Sequence, residues 1–130
     1  SIIASETNNS SEYPTIASLY LNRIRTGMKL QACPTVIYAV GDFTLSRVLN
    51  KHLEIDSPYN TYKYKGLPPG PIRLARPDIM DAVLDAPNTD YLYMCANPDF
   101  SGTHIFSTTY KAHQKVAKKY QRELDKRNIK

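Results

Sequence analysis

A chain of 130 residues, 42% apolar and 22% charged, fits one domain with a real core and is not the composition of a disordered segment. No apolar run approaches the roughly 18–20 residues of a membrane span, and no secretory leader is visible. The net charge of +5 is local: Lys111, Lys115, Lys118, Lys119, Arg122, Lys126, Arg127 and Lys130 all fall in the last twenty residues. That cluster suits an anionic surface or polymer, or is simply a solvated helix face. It lacks the interleaved stacking aromatics of a nucleic-acid platform, which argues against nucleic acid.

In chain order, Ser1–Thr7 (SIIASET) starts abruptly in an apolar segment, as a fragment of a longer protein would, and reads as the end of a helix. Asn8-Asn9-Ser10-Ser11 then breaks it. Glu6 sits near the C-terminal end of that helix, where the dipole disfavours a negative charge and raises a carboxyl pKa. A carboxyl kept protonated near neutral pH is what a general acid needs; the alternative is an ordinary surface glutamate. Tyr13–Thr26 is the clearest helix, with Pro14 in its first turn and Gly27 just past its end. Ile16, Leu19, Tyr20 and Ile24 form its apolar stripe, widened by Ala17 and Leu21. Asn22 flanks the stripe, placed either to reach a ligand or to cap local backbone.

Met28–Ala32 is extended, and Pro34 starts a short helix, PTVIYAV, that ends at Gly41-Asp42. Gln31 precedes that helix, where its amide can point into a cleft. Thr44–Leu53 reads as another short helix with Leu45, Val48, Leu49 and Leu53 inward. His52 beside these apolar residues is a structural histidine. Ser57–Ile72 (SPYNTYKYKGLPPGPI) is the central loop. Three prolines and two glycines in the six residues from Gly66 exclude both helix and interior strand, and give the loop a defined shape. Tyrosines leading into it suit a sugar-binding wall, since ring faces stack on pyranose C–H faces, or else the edge of a core.

Pro77 opens a helix to about Ala86, with Ile79, Met80, Val83 and Leu84 as its apolar set. Tyr91–Ala96 and Thr103–Ser107 pair as a hairpin across the turn NPDFSG. A last, long helix carries Tyr110, His113, Val116, Ala117, Tyr120 and Leu124 on one face and the basic residues on the other. The expected class is α+β, several short helices with a small, mainly antiparallel sheet.

The inventory narrows the chemistry. Cys33 and Cys95 form no CxxC pair, so cysteine-held zinc is excluded; two buried free thiols are expected, with one disulfide as the alternative. His52, His104 and His113 share no HxxxH spacing, so no metal site is expected. No phosphate loop or nucleophile elbow occurs. What remains is cofactor-free acid/base chemistry on a neutral polymer, led by Glu6. A hydrolase with two carboxylates needs a partner acid; Glu12, Asp42 and Asp56 are available, and none is singled out.

The blocks SIIASET, ASLYLNRIRTGMKLQACPTVIYA, DSPYNTYKYKGLPPGPI, YLYMCA and HIFSTTYKAH, in this order, resemble the catalytic domain of the YceG-like endolytic murein transglycosylases. The resemblance covers nearly the whole chain as a single domain. It implies a peptidoglycan lytic transglycosylase that cuts the β-1,4 bond between N-acetylmuramic acid and N-acetylglucosamine without water, leaving 1,6-anhydromuramyl ends. One glutamate suffices in that scheme, and SET places it at Glu6. Asn22, Gln31, Tyr38, Tyr59, Asn60 and Tyr62 would line the glycan groove, Gly66, Pro68 and Pro69 would shape its wall, and His104 would lie near its floor. Two positions depart from the family pattern, which often has acids where Ala4 and Cys33 stand. Relatives carry a transmembrane helix and a small LysM-like domain ahead of this region. The implied setting is the outer, periplasmic side of the cytoplasmic membrane, near the cell-wall synthases, with the basic tail suited to an anionic lipid surface. A non-catalytic peptidoglycan-binding module and a lysozyme-like hydrolase are the alternatives.

Overall fold

The computed structural model describes residues 1–45 and 47–127. In chain order these residues form α1 (Ile2–Glu6), a 3₁₀ turn (Ser10–Glu12), α2 (Tyr13–Arg25), α3 (Cys33–Val40) and α4 (Asn50–Leu53). There follow α5 (Pro77–Leu84), strands β1 (Tyr93–Ala96) and β2 (His104–Ser107), and α6 (Tyr110–Lys126). The two strands pair antiparallel, Tyr93 opposite Ser107 and Ala96 opposite His104. This is an α+β fold with a minimal sheet and a long C-terminal helix. None of the described helices is long and apolar enough to cross a membrane.

Helix α2 is the centre of the core. Its Tyr13, Ile16, Ala17, Leu19 and Tyr20 are buried with Ile2 and Ile3 of α1, Leu30, Ala32 and Ile79. Pro14 occupies its first turn, and the chain leaves through Gly27 at φ 74°. Ile24, expected on the apolar stripe, is 41% exposed; the buried face runs instead through Arg23, which is 5% exposed. The Arg23 guanidinium donates to the carbonyls of Leu92 (2.6 Å) and Lys29 (2.7 Å) and lies 5.1 Å over the Tyr93 ring. A cation with this many partners can be buried, and its seat rotates Ile24 outward.

Pro34 lies in the first turn of α3, and Gly41 closes it in the left-handed region at φ 81°. The helix expected over Thr44–Leu53 is reduced to Asn50–Leu53, and Ser46 lies outside the described residues. Asp42 accepts from both the backbone N–H (3.1 Å) and the hydroxyl (2.5 Å) of Thr44, so local side-chain bonding holds this stretch in a turn. His52 is structural: its Nδ1 accepts from the Leu49 N–H at 2.9 Å.

On α5 Ile79 is buried and Ala82 and Val83, three and four residues on, are partly buried against the core; Met80 and Leu84, expected inward, are 52% and 82% exposed. The Thr109 hydroxyl caps α6 by accepting from Ala112 N–H (3.2 Å), and the helix packs Leu124 inward, while Tyr110 is exposed. Both cysteines are free; Cys33 is exposed rather than buried, because it begins α3 at the surface. Of the basic tail, Lys130 lies outside the described residues.

Candidate active site

Glu6 ends α1, and the chain turns extended at Thr7, with φ −150° and ψ 149°. With Ile2 and Ile3 buried beneath it, Glu6 faces a cavity of about 320 Å³. One wall is the chain around Glu6, from Ser5 to Asn8. The other is the hairpin and its turn, with Ala96, Asn97, Phe100, Thr103 and His104, closed by Tyr120 of α6. Segments about a hundred residues apart in sequence therefore meet here, held by the packing of β1 and β2 on α6 and of α1 on α2.

The Tyr20 hydroxyl donates to Glu6 Oε1 at 2.5 Å. Burial pushes the Glu6 carboxyl above its ordinary value; the Tyr20 bond and the nearby His104 pull it back, less strongly. Burial likewise holds the Tyr20 phenol well above its usual range, and the neighbouring Glu6 charge adds to that. Tyr20 is therefore a fixed donor and Glu6 a carboxyl that holds its proton more tightly than an exposed glutamate does.

The remaining carboxylate of this region is committed. Glu12, 8% exposed, accepts from Thr7 Oγ1 (3.1 Å), from the backbone N–H of His104 (2.7 Å) and pairs with His104 Nδ1 (3.0 Å). It stitches the residue after Glu6 to the start of β2. Glu6 is the one carboxylate among the described residues lining the cavity.

The other residues singled out from the sequence take several places. Tyr62 lies at the edge of this centre: its hydroxyl contacts Cys33 Sγ at 3.3 Å, and burial, with the Cys33 and Glu6 charges adding, raises its pKa. Protein crowding around the Cys33 thiol raises that pKa too, and burial pushes Cys95 up to about 11, so neither is a ready nucleophile. Tyr38 of α3 packs on Tyr59, ring centroids 4.8 Å apart, and the Tyr59 hydroxyl approaches Gly70, where an added Cβ would stand 3.4 Å away. These rings brace the Pro-rich loop. Gly66 turns it at φ 81°, Pro68 is half-buried and Pro69 exposed. The loop is tied to α1 through Ile72 N–H on Ser1 Oγ (3.1 Å) and Arg73 on the Ala4 carbonyl (3.3 Å).

Asn60, Asn22 and Gln31 engage protein groups. Asn60 is wholly buried; its amide donates to the carbonyls of Leu53 (2.9 Å) and Ile55 (2.8 Å) and its oxygen accepts from Tyr62 N–H (3.0 Å). Asn22 donates to the carbonyls of Thr89 (2.8 Å) and Tyr91 (3.0 Å), gripping the chain that leads into β1. Gln31, exposed at φ 50°, accepts from Arg23 through its side chain at 3.4 Å. His104 and Glu6 line the cavity together. Tyr20, Glu12 and Arg23 were not singled out as site residues from the sequence. Tyr20 and Arg23 lie on or beside a helix stripe, and only tertiary packing supplies their partners.

The arrangement offers one carboxyl with a raised pKa, a fixed phenol donor and a histidine held by a buried carboxylate, facing a cavity of about 320 Å³. The chain matches the YceG-like family over residues 1–119. The endolytic murein transglycosylase of Bacillus subtilis is 46% identical over 120 residues, 92% of this chain and 32% of that protein. The endolytic murein transglycosylase of Streptococcus pneumoniae serotype 2 is 31% identical over 101 residues, 75% of this chain and 18% of that protein. The chain thus spans about a third or less of these curated relatives. A crystal structure of a YceG-like protein from Listeria monocytogenes superposes with a TM-score of 0.83 at 45% identity, over 89% of this chain and 37% of the other. With matched sequence running through nearly its whole length, the chain belongs to the YceG-like family.

Proposed function

We propose that this chain carries the acid/base centre of a lytic transglycosylase acting within peptidoglycan strands. It would cleave the β-1,4 bond between N-acetylmuramic acid and N-acetylglucosamine and leave a 1,6-anhydromuramyl end. The observation that carries the reading is the state of Glu6: a cavity-lining carboxyl with its pKa raised by burial and, among the described residues, no second carboxylate lining the cavity. The relatives named as endolytic murein transglycosylases support the substrate class.

A hydrolase of the two-carboxylate type needs one group as acid and another to activate water or attack C1. Glu12 is poorly placed for either task, because its oxygens already accept three hydrogen bonds. An intramolecular attack removes that need. Glu6 protonates the glycosidic oxygen as the C1–O4 bond breaks. The C6 hydroxyl of the same muramyl residue closes on C1, and its proton returns to the Glu6 carboxylate, which restores the acid. The attacking group is already part of the substrate, so it carries a high effective concentration. Tyr20 steadies the carboxylate between the two proton transfers without joining them, its own pKa being too high.

The test is mass spectrometry of uncrosslinked glycan strands incubated with the protein and with Glu6→Gln. Anhydromuramyl ends that vanish in the variant are the expected result. Reducing ends would turn the reading to a hydrolase, and intact strands with retained binding would turn it to a binding module.

A further inference from the structure

We propose that Glu12 is a positioning residue that holds His104 in the tautomer whose Nε2 accepts a hydrogen bond from a substrate hydroxyl beside Glu6. Its basis is geometric. Glu12 is buried, and it is the partner of both the backbone N–H of His104 at 2.7 Å and its ring Nδ1 at 3.0 Å. An ionised carboxylate only accepts, so the ring hydrogen belongs on Nδ1, and the neutral ring then carries its lone pair on Nε2. Nε2 has no hydrogen-bond partner among the described residues, yet it is not among their sealed, unpartnered polar atoms, where His113 Nδ1 stands alone. His104 lines the same cavity as Glu6, which is where a bound strand would meet its ring. The third bond to Glu12, from Thr7 Oγ1 at 3.1 Å, couples this ring to the residue that follows the acid.

The consequence rests on the transglycosylase reading and deepens it. In the closing step the C6 hydroxyl donates to Nε2. As O6 bonds to C1 and the C1–O4 bond breaks, O4 takes the Glu6 proton and the hydroxyl proton passes to Nε2. The ring, now a cation against the Glu12 carboxylate, passes that Nε2 proton to the Glu6 carboxylate, and both groups return to their starting states. A buried carboxylate behind a histidine stabilises the transient cation and fixes the ring, as it does in acyl-transfer triads. The route from the sugar hydroxyl to Glu6 thus runs through His104.

The test begins on the whole chain without substrate, by nitrogen-15 NMR of its histidine side chains. The expected spectrum shows the neutral form of the His104 ring carrying its proton on Nδ1 and bare on Nε2, with that preference lost in Glu12→Gln. A wild-type ring protonated on Nε2 would overturn the proposal outright. In strand-cleavage kinetics, Glu12→Gln and His104→Gln are each expected to lower kcat by about 10- to 100-fold with KM little changed. Added imidazole should restore turnover to His104→Ala, which a purely structural role would not allow. Unchanged kcat in both variants, while wild type still makes anhydro ends, would overturn the relay and leave the transglycosylase standing. Absence of anhydro ends in wild type would instead overturn the transglycosylase reading and with it the relay, while the NMR result still decides whether Glu12 positions His104.

Discussion

Burial strengthens the hold of the Glu6 carboxyl on its proton, while the Tyr20 hydroxyl, donating at 2.5 Å, favours the ionised form. An acid that must give up a proton and take one back needs both influences, since either alone would strand it in one state. Replacing Tyr20 with Phe deletes the opposing influence and little volume. The Glu6 pKa should then rise further, and activity that depends on protonated Glu6 is lost as pH rises through that value. In Tyr20→Phe the alkaline limb of kcat/KM is therefore expected at higher pH than in wild type, read from pH–rate profiles of both. A limb that stays put, or moves down, would remove Tyr20 from the control of the acid. The place of Glu6 at a helix end before a run of turn residues was legible in the sequence. Its partnership with Tyr20 was not, because a tyrosine at a stripe position reads as core. Only the packing of α1 on α2 decides where the hydroxyl points. Glu12 was hidden for the same reason: its histidine partner lies 92 residues on.

Among the elements, the start of α3 and the tyrosine loop act as one piece. The buried Thr61 hydroxyl accepts from Ala32 N–H at 2.9 Å and shares a hydrogen with Thr35 Oγ1 at 2.8 Å, while the Thr61 carbonyl accepts from Gln31 N–H at 3.1 Å. These bonds set Tyr62 against Cys33 at the rim of the Glu6 centre. Thr61→Val keeps the side-chain shape and leaves the buried Ala32 N–H without its acceptor. A loss of about 1–3 kcal/mol is expected in urea unfolding, since an unsatisfied buried donor costs its full desolvation. A change under about 0.5 kcal/mol, the range of a neutral surface substitution, would mean that the loop is held by other contacts. The sequence located most elements through helix punctuation: Pro14, Pro34 and Pro77 near starts, and Gly27 and Gly41 at ends. It overreached at Thr44–Leu53, where Leu45, Val48, Leu49 and Leu53 have helical spacing. There Asp42 takes the Thr44 N–H into a local turn, and Leu49 is 39% exposed. Spacing reports which residues share a face; it does not report what the backbone bonds to.

At the scale of the whole molecule, the two walls of the cavity come from opposite ends of the chain and are brought together through α2. Asn22 and Arg23 grip the carbonyls of Thr89, Tyr91 and Leu92 just ahead of β1, and so fix the hairpin that carries His104. Asn22→Ala should free two of these carbonyls and cost about 1–3 kcal/mol of unfolding free energy. Lower kcat is also expected, because the hairpin wall is no longer fixed against α1. Glu6 itself should weigh on stability in the opposite sense. Its folded-state pKa lies above the ordinary 4.5, so the native state binds its proton more tightly than the unfolded chain does. That contribution is fully present below the ordinary value and is lost as pH rises through the folded one. Above that point the fold encloses a charge that the unfolded chain would leave in water. Glu6→Gln carries no charge at any pH and keeps an amide oxygen for the Tyr20 hydroxyl. Melting temperatures from about pH 4 to about pH 8 should therefore nearly coincide at the acid end and separate toward neutrality, with the variant higher. Curves that run together throughout would show that enclosure leaves the carboxyl unperturbed, and the acid would then have to be held by the substrate rather than by the fold.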